Sequence, residues 1–166
     1  MTNRRSLILA GLGAATALPF ARNFLETPAL AAGTTKFAYT LTDAQWRAKL
    51  PGIAYDVLRH EATERPFTSP LNDEHRAGIF SCKGCALPLF SSKTKFDSGT
   101  GWPSFYAPLP KAVGTTTDTS LFMTRTEVHC SRCGGHLGHV FDDGPKPTGL
   151  RYCMNGAALT FAPTRA

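Results

Sequence analysis

The sequence predicts a mainly β protein, in which an antiparallel β domain follows two short N-terminal helices and is held together by a four-cysteine zinc site. The chain of 166 residues contains 15 glycines and 12 prolines, which favour many turns over a helical bundle. From Gly78 onward, short apolar segments alternate with turn residues. Four of the five cysteines form two pairs with the two-residue gap of zinc ligands, Cys82 with Cys85 and Cys130 with Cys133.

Two short helices are predicted ahead of the β domain. Thr42 and Gln45 have the spacing of a capping box, in which both side chains satisfy exposed backbone amides. The first helix is expected to run to Leu50, because Pro51 cannot continue it. The second helix is expected over residues 53–62.

The β domain is expected to contain six recognisable strands. They are predicted over residues 79–81, 87–90, 121–129, 136–141, 151–155 and 157–161. In the third of these, Arg125 falls on one face and Val128 on the other.

The spacing between the two cysteine pairs indicates a structural metal. Cys85 and Cys130 are separated by 44 residues, whereas a single zinc finger leaves about 12–20 residues between its pairs. The zinc is therefore expected to join two distant hairpins, which a small β domain with a thin core needs. The alternative is two structural disulfides and one free thiol.

The first 31 residues are interpreted as an export signal. Arg4 and Arg5 precede a mostly apolar run over residues 7–20, and Ala29-Leu30-Ala31 offers a small-x-small cleavage site. Paired arginines indicate the twin-arginine route. The apolar run is shorter than the ~20 residues that a spanning helix needs. The protein is therefore expected in the bacterial periplasm, with no stable membrane insertion after removal of the signal.

The rest of the chain is expected to form one domain over residues 41–163, after a short linker at 32–40. Removing residues 1–31 takes away three arginines and one glutamate, so the net charge falls from +6 to +4. This small surplus is scattered along the chain and argues against a nucleic-acid partner. The twin-arginine route carries folded proteins, so zinc can bind in the reducing cytoplasm before export.

Cys153 stands outside both cysteine pairs and is therefore the first candidate for a nucleophile. In a strand, Arg151 and Asn155 lie on the same face as Cys153. The Arg151 guanidinium is expected to lower the pKa of the thiol, and Asn155 can hydrogen-bond a substrate. The alternative is a buried, inert core cysteine.

His136 and His139 supply two imidazoles, with Asp143 close behind them in the sequence. Imidazoles transfer protons near neutral pH. Zinc ligation by these histidines is a competing interpretation, but four cysteines already fill a tetrahedral shell. A second alternative is that they are two surface histidines beside a turn, with no chemical role. The glycine-flanked turn at residues 99–105 either presents Trp102 to a ligand or buries it in the core.

Residues 96–105, 136–145 and 151–155 resemble the signature strings of the methionine-R-sulfoxide reductases, the type B family. Residues 66–71 and both cysteine pairs also match, and the resemblance spans residues 38–162. It implies a β-tent of two antiparallel sheets with short helices. It also implies one structural zinc ion per chain, held by the four paired cysteines.

The resemblance further implies reduction of methionine-R-sulfoxide to methionine. Cys153 would attack the sulfoxide sulfur and remain as sulfenic acid. His136, His139 or Asp143 would supply or relay the proton that the sulfoxide oxygen needs.

The implied substrate contacts are Trp102, which would pack on the S-methyl group, and Phe141. The expected substrates are oxidised methionines of exported proteins, with free methionine sulfoxide as a further candidate. The expected electron donor is a thioredoxin-like or small-thiol reductant, and the protein is expected to be a monomer.

Two positions depart from the family pattern. Thr100 stands where many members have a second redox cysteine, so an external thiol is expected to attack the Cys153 sulfenic acid directly. Gly156 stands where the family often has serine, and this change is expected to be minor.

Two other classes of function remain open at this point. A non-enzymatic zinc β-tent module could bind a partner protein or a small ligand, but such a module has no need for an unpaired thiol beside Arg151. A nucleic-acid zinc ribbon is disfavoured by the modest charge and by the wide gap between the cysteine pairs.

Overall fold

The computed structural model of the protein describes residues 37–120 and 123–164. The predicted export signal at 1–31 and most of the predicted linker lie outside the described residues. None of the helices in the described part of the chain is long and apolar enough to span a membrane.

Both predicted helices are present. Helix α1 comprises Asp43–Lys49, and the capping box is confirmed because Gln45 N donates to Thr42 Oγ1 while Thr42 N donates to Gln45 Oε1. Helix α2 comprises Ile53–His60. It ends two residues earlier than predicted, since Glu61 adopts the left-handed conformation with a φ of 57°.

Nine strands follow α2 in the described part of the chain. They are β1 Gly78–Cys82, β2 Pro88–Ser91, β3 Lys95–Phe96, β4 Ser104–Phe105, β5 Val113–Asp118, β6 Arg125–Cys130, β7 His136–Phe141, β8 Arg151–Met154 and β9 Leu159–Pro163. They form a three-stranded sheet in the order β2-β1-β9 and a six-stranded sheet in the order β3-β4-β8-β7-β6-β5. The pairings are antiparallel, which confirms the predicted fold class.

The two sheets meet through buried aromatic rings. Phe80 of β1 and Phe90 of β2 belong to the small sheet, and Phe105 of β4 belongs to the large sheet. The Phe105 ring centroid lies 5.0 Å from that of Phe80 and 4.4 Å from that of Phe90, and all three side chains are fully buried. This core fixes β4 next to β8, the strand that carries Cys153.

Several strand boundaries differ from the prediction. The predicted strand over 121–129 is β6, which begins at Arg125, and residues 121–122 lie outside the described part of the chain. Strands β3, β4 and β5 were not predicted. β8 ends at Met154, and a 3-10 turn over Gly156–Ala158 delays the start of β9 to Leu159.

Candidate active site

The four paired cysteines meet in one buried cluster. Cys82 ends β1 and Cys130 ends β6, so the pairs occupy the turns of the β1–β2 and β6–β7 hairpins. The four sulfur atoms lie within 4.8 Å of one another. Cys82 Sγ is 3.7 Å from Cys133 Sγ, and Cys85 Sγ is 3.5 Å from Cys130 Sγ. The cluster thus joins two distant hairpins, one from each sheet, as the spacing predicted.

The donor set and its geometry fit a structural zinc ion. Sulfurs at 2.3 Å from a tetrahedral zinc lie about 3.8 Å apart, close to the observed separations. The cysteines are free thiols rather than disulfides. Zinc binds thiolates, so the four thiols would give up their protons on binding the metal. Four sulfur ligands leave no open position for a substrate, so a zinc ion here would be structural.

Cys153 lies on β8 between two neighbouring strands, opposite Ser104 of β4 and His139 of β7. Residues opposite each other on adjacent strands project from the same face of the sheet. Thr100 Oγ1 is 3.9 Å from Cys153 Sγ, and Ser98 Oγ lies 2.8 Å from Thr100 Oγ1 and 2.7 Å from Ser104 Oγ. The half-buried thiol therefore borders hydroxyl groups and an imidazole rather than an apolar core.

The pKa of Cys153 is raised, in the opposite direction to the sequence-based expectation. Burial raises it, while a hydrogen bond from Thr100 and the charge of Arg151 act in the lowering direction without overcoming burial. The thiol is therefore mostly protonated at neutral pH. Its proton has to move when the sulfur attacks an electrophile.

Cys153 opens into a pocket of about 140 Å³. Five residues named from the sequence line this pocket: Trp102, His139, Phe141, Cys153 and Asn155. Sites that enclose a whole ligand have volumes of about 300–1,000 Å³, so this pocket has room for a single side chain. Its two aromatic walls suit an apolar thioether-like group.

His139 is held by Asp118, a residue that the sequence analysis did not identify. His139 Nε2 lies 2.8 Å from Asp118 Oδ2, so Nε2 carries the proton and Nδ1 remains for a substrate. Asp118 also accepts hydrogen bonds from Ser120 and from Arg125 Nη2, which hold its pKa far below the ordinary value. Burial lowers the pKa of His139, and the hydrogen bond to Asp118 opposes this change.

His136 is buried next to His139 and does not line the pocket. Its side chain is 3% exposed, and its Nδ1 is 2.8 Å from Glu127 Oε1. The other oxygen of Glu127 is 2.8 Å from His129 Nδ1. The His136 ring packs edge-on against His139, with 5.4 Å between centroids. His136 thus contacts His139 without lining the pocket.

Arg151 and Asp143 form an ion pair beside the pocket. Arg151 Nε and Nη2 each donate to the Asp143 carboxylate at 2.8 Å, and the guanidinium lies 4.4 Å above the Phe141 ring. This pairing lowers the pKa of Asp143. Asp143 is thus a carboxylate at neutral pH, and neither residue forms part of the pocket wall.

Trp102 and Asn155 are both fixed by Glu64. Trp102 Nε1 donates to Glu64 O at 3.1 Å, and Glu64 N donates to Asn155 Oδ1 at 2.9 Å. The buried Glu64 carboxylate accepts the backbone N–H groups of Gly156 and Ala157. The aromatic wall of the pocket is therefore tied to the chain immediately after β8.

Sequence reasoning missed four residues of this site: Thr63 and Arg125 of the pocket wall, and Glu64 and Asp118 that hold it. A sequence signal existed for Arg125. The alternation of residues 121–129 puts this charged residue on the opposite face of the strand from Val128. For Asp118 there was none, because its approach to His139 requires the pairing of β5, β6 and β7.

A model of the SelR domain matches residues 50–163 of the chain. A peptide methionine sulfoxide reductase MsrB of Thiobacillus denitrificans is 59% identical over 123 residues, which cover 74% of this chain and 93% of that protein. A relative of the same name from Leifsonia xyli subsp. xyli is 52% identical over 134 residues, 80% of this chain and 96% of that protein. Among solved structures, a Mis18 'Yippee-like' domain aligns with 55% of this chain and 100% of that chain, with a TM-score of 0.45 and 18% identity.

Proposed function

Because the chain belongs to the methionine-R-sulfoxide reductase family and is an enzyme that reduces methionine sulfoxide, we propose that it reduces the R epimer in exported proteins with Cys153 as its one redox cysteine. The observation that carries this proposal is the pocket itself. Cys153, His139 and Trp102 line a space sized for one side chain.

Cys153 supplies the nucleophile. Its sulfur attacks the sulfoxide sulfur, the sulfoxide oxygen takes up a proton, and the half-reaction converts one thiol and one sulfoxide into one sulfenic acid and one thioether. The methionine sulfur gains the two electrons that Cys153 loses. Because the pKa of the thiol is raised, the proton that the oxygen needs is present on Cys153 at the start.

His139 is the favoured carrier of this proton. It lines the pocket, and its Nε2–H is held by Asp118, which leaves Nδ1 to accept the thiol proton and pass it to the oxygen. Its lowered pKa keeps the imidazole neutral and able to accept. Asp143 is ionised by its pairing with Arg151, and neither Asp143 nor His136 lines the pocket. We assign these two residues supporting roles.

The pocket accounts for selection of one epimer. Trp102 and Phe141 offer apolar surface to the S-methyl group. His139 donates a hydrogen bond to the oxygen once its Nδ1 has taken up the thiol proton. The methyl group and the oxygen are then both fixed, and the sulfur must face Cys153. Only one epimer at sulfur satisfies all three conditions.

An external thiol completes the cycle. Thr100 lies next to Cys153, and the other four cysteines are gathered in the metal cluster. A reductant thiol therefore attacks the sulfenic acid, releasing water and forming a mixed disulfide. A second thiol then frees Cys153 and leaves the reductant as a disulfide. A thioredoxin-like protein or a small thiol has this chemistry.

The export part of the proposal depends on residues 1–31. Replacing Arg4 and Arg5 together by lysine preserves charge but removes the arginine pair that the twin-arginine route reads. We expect this variant to accumulate uncleaved in the cytoplasm, measured by fractionation and mass of the N-terminus. Normal periplasmic accumulation would contradict the proposed route.

Separate R and S epimers of N-acetyl-methionine sulfoxide amide test the activity, with a dithiol as electron donor. We expect turnover of the R epimer and none of the S epimer above the rate without enzyme. Comparable rates on both epimers would contradict the proposed pocket geometry.

A second experiment tests the one-cysteine cycle. Reduced enzyme treated with excess R-sulfoxide and no reductant should contain one sulfenic acid, at Cys153, that dimedone traps and mass spectrometry locates. A stoichiometric disulfide between Cys153 and one of the four cluster cysteines would show instead that a cluster thiol resolves the intermediate.

A further inference from the structure

The pocket has room for the side chain of methionine sulfoxide but not for the polypeptide that carries it. Its volume is about 140 Å³, below the range of sites that enclose whole ligands. If a protein or peptide is the substrate, as proposed above, the residues on either side of the oxidised methionine must lie on the surface around the pocket mouth.

Phe67 is an unusual residue on this surface. Its side chain is 70% exposed, compared with 53% for Met123 and 49% for Ile53. Its backbone has a φ of 62°, in the left-handed region that bulky residues avoid. Bulky residues in this conformation are strained, and such strain clusters at functional sites. The chain therefore maintains a strained backbone while leaving a large aromatic ring in water.

The Phe67 ring is held next to the pocket by the turn that carries Trp102. Phe67 N donates to Gly101 O at 2.7 Å. A Cβ on Gly101 would lie 2.8 Å from two carbons of the Phe67 ring, so only glycine permits this contact. Gly101 immediately precedes Trp102, which forms a wall of the pocket. The exposed ring thus rests on the same turn as the aromatic wall.

We propose that the Phe67 ring is a docking surface for an apolar side chain that neighbours the oxidised methionine in an extended polypeptide. This inference rests on the proposed reductase function. Methionine is most often buried, so a methionine exposed by partial unfolding brings apolar neighbours with it. An exposed phenyl ring gains from covering such neighbours, because burial of apolar surface is favourable.

Three substrates and one variant test the proposal. The substrates are N-acetyl-methionine-R-sulfoxide amide and two pentapeptides with the same central residue, one flanked by leucines and one by serines. Phe67→Gly removes the ring at a backbone conformation that suits glycine. We expect Phe67→Gly to lower kcat/KM for the leucine-flanked peptide about tenfold, the effect of losing one good interface contact. The other two substrates should change by less than about twofold.

Two further variants serve as controls. Phe67→Tyr keeps a ring and should retain the preference for the leucine-flanked peptide. Met123→Ala removes another exposed apolar side chain and should leave all three rates unchanged. An equal loss on all three substrates in Phe67→Gly would show that the ring supports the pocket instead, and no loss on the leucine-flanked peptide would also overturn the proposal. Failure of the wild-type enzyme on the acetylated amide is a separate result, which refutes the reductase function itself.

Discussion

The four clustered cysteines and Cys153 place a thiol sulfur in two contrasting environments. In the cluster, four buried thiols contact one another, with 3.5 and 3.7 Å between sulfurs of opposite pairs. In the pocket, a single half-buried thiol borders Thr100, faces aromatic walls and is open to a ligand. The residue type does not distinguish the two sites. The number of neighbouring sulfurs and the access to solvent do.

The two sites are also connected through one hairpin. Cys130 ends β6 and Cys133 lies in the turn that leads to β7, and the same two strands carry Glu127 and His139. A metal that fixes this turn therefore stabilises the strands from which the histidine of the pocket projects. Breaking the cluster is expected to affect activity indirectly, whereas breaking the pocket leaves the cluster intact.

The largest expected effect is that of Cys153→Ser. It should abolish reduction of the R-sulfoxide, a loss on the order of 10⁴-fold or more, because the hydroxyl is a far weaker nucleophile than the thiol. Zinc content and melting temperature should stay at wild-type values, measured by elemental analysis and thermal unfolding. Substantial remaining activity would disprove the assignment of Cys153 as nucleophile.

Cys85→Ser should produce the reverse pattern. We expect this variant to lose its bound zinc and to melt at a lower temperature. Its free energy of unfolding should fall by several kcal/mol, because structural zinc contributes directly to folding. Activity per folded molecule should fall much less than in Cys153→Ser. A zinc-free wild-type protein with disulfides mapped among the four cysteines would refute the metal site.

Within the pocket, His139→Gln should lower kcat/KM by about 10²–10⁴-fold, the usual contribution of a general acid–base residue. His75→Gln is a matched control, because His75 is an exposed histidine away from the pocket wall. If kcat/KM of His139→Gln falls by less than about fivefold, a group other than His139 carries the proton.

Asp118→Asn should have a smaller effect with a distinctive pH dependence. Loss of a charged hydrogen bond contributes about 1.5–3 kcal/mol, which corresponds to roughly ten- to a hundredfold in kcat/KM. Turnover needs one proton shared by Cys153 and His139, so kcat/KM falls as His139 becomes protonated at low pH and as Cys153 ionises at high pH.

Asp118 favours the imidazolium form, so its replacement lowers the pKa of His139 further and moves the acidic limb to lower pH. The basic limb, which belongs to Cys153 with its raised pKa, should stay in place. A uniform decrease in rate with both limbs unmoved would mean that Asp118 is merely structural.

Local sequence signals predicted the parts of the molecule that local physics determines. The capping box at Thr42 fixed the start of α1, and the strand predicted over residues 136–141 matches β7 to the residue. Two-residue gaps between cysteines were sufficient to identify the cluster. In each case the interacting groups are close in sequence, or their spacing is characteristic of one metal.

Non-local features could not be predicted in this way. Val113–Asp118 forms an edge strand that contains glycine and is largely exposed, so it shows no apolar alternation. Without β5, Asp118 could not be placed beside His139. The pKa of Cys153 could not be predicted for the same reason. The sequence shows Arg151 two residues away, which lowers this pKa, but burial in the packed fold has the larger effect and raises it.

The smallest expected effect concerns Gly156, where the family often has serine. A Cβ at this position would overlap Ser69 Oγ and lie 2.5 Å from Ser69 Cβ. Gly156→Ser should therefore destabilise the protein by about 1–3 kcal/mol, the usual cost of overpacking. Ser69→Gly removes the obstructing side chain. By itself it should destabilise the protein less than Gly156→Ser does.

The double variant tests the packing directly. With Ser69→Gly present, Gly156→Ser should cost less than about 0.5 kcal/mol, so the two changes couple strongly, as residues in contact do. Denaturant midpoints of the four proteins measure this coupling. The Glu64 carboxylate binds the N–H groups of Gly156 and Ala157 and so positions the chain after Asn155; Gly156→Ser alone should accordingly also raise KM for the sulfoxide. Strictly additive free energies would show that the cost of Gly156→Ser does not arise from contact with Ser69.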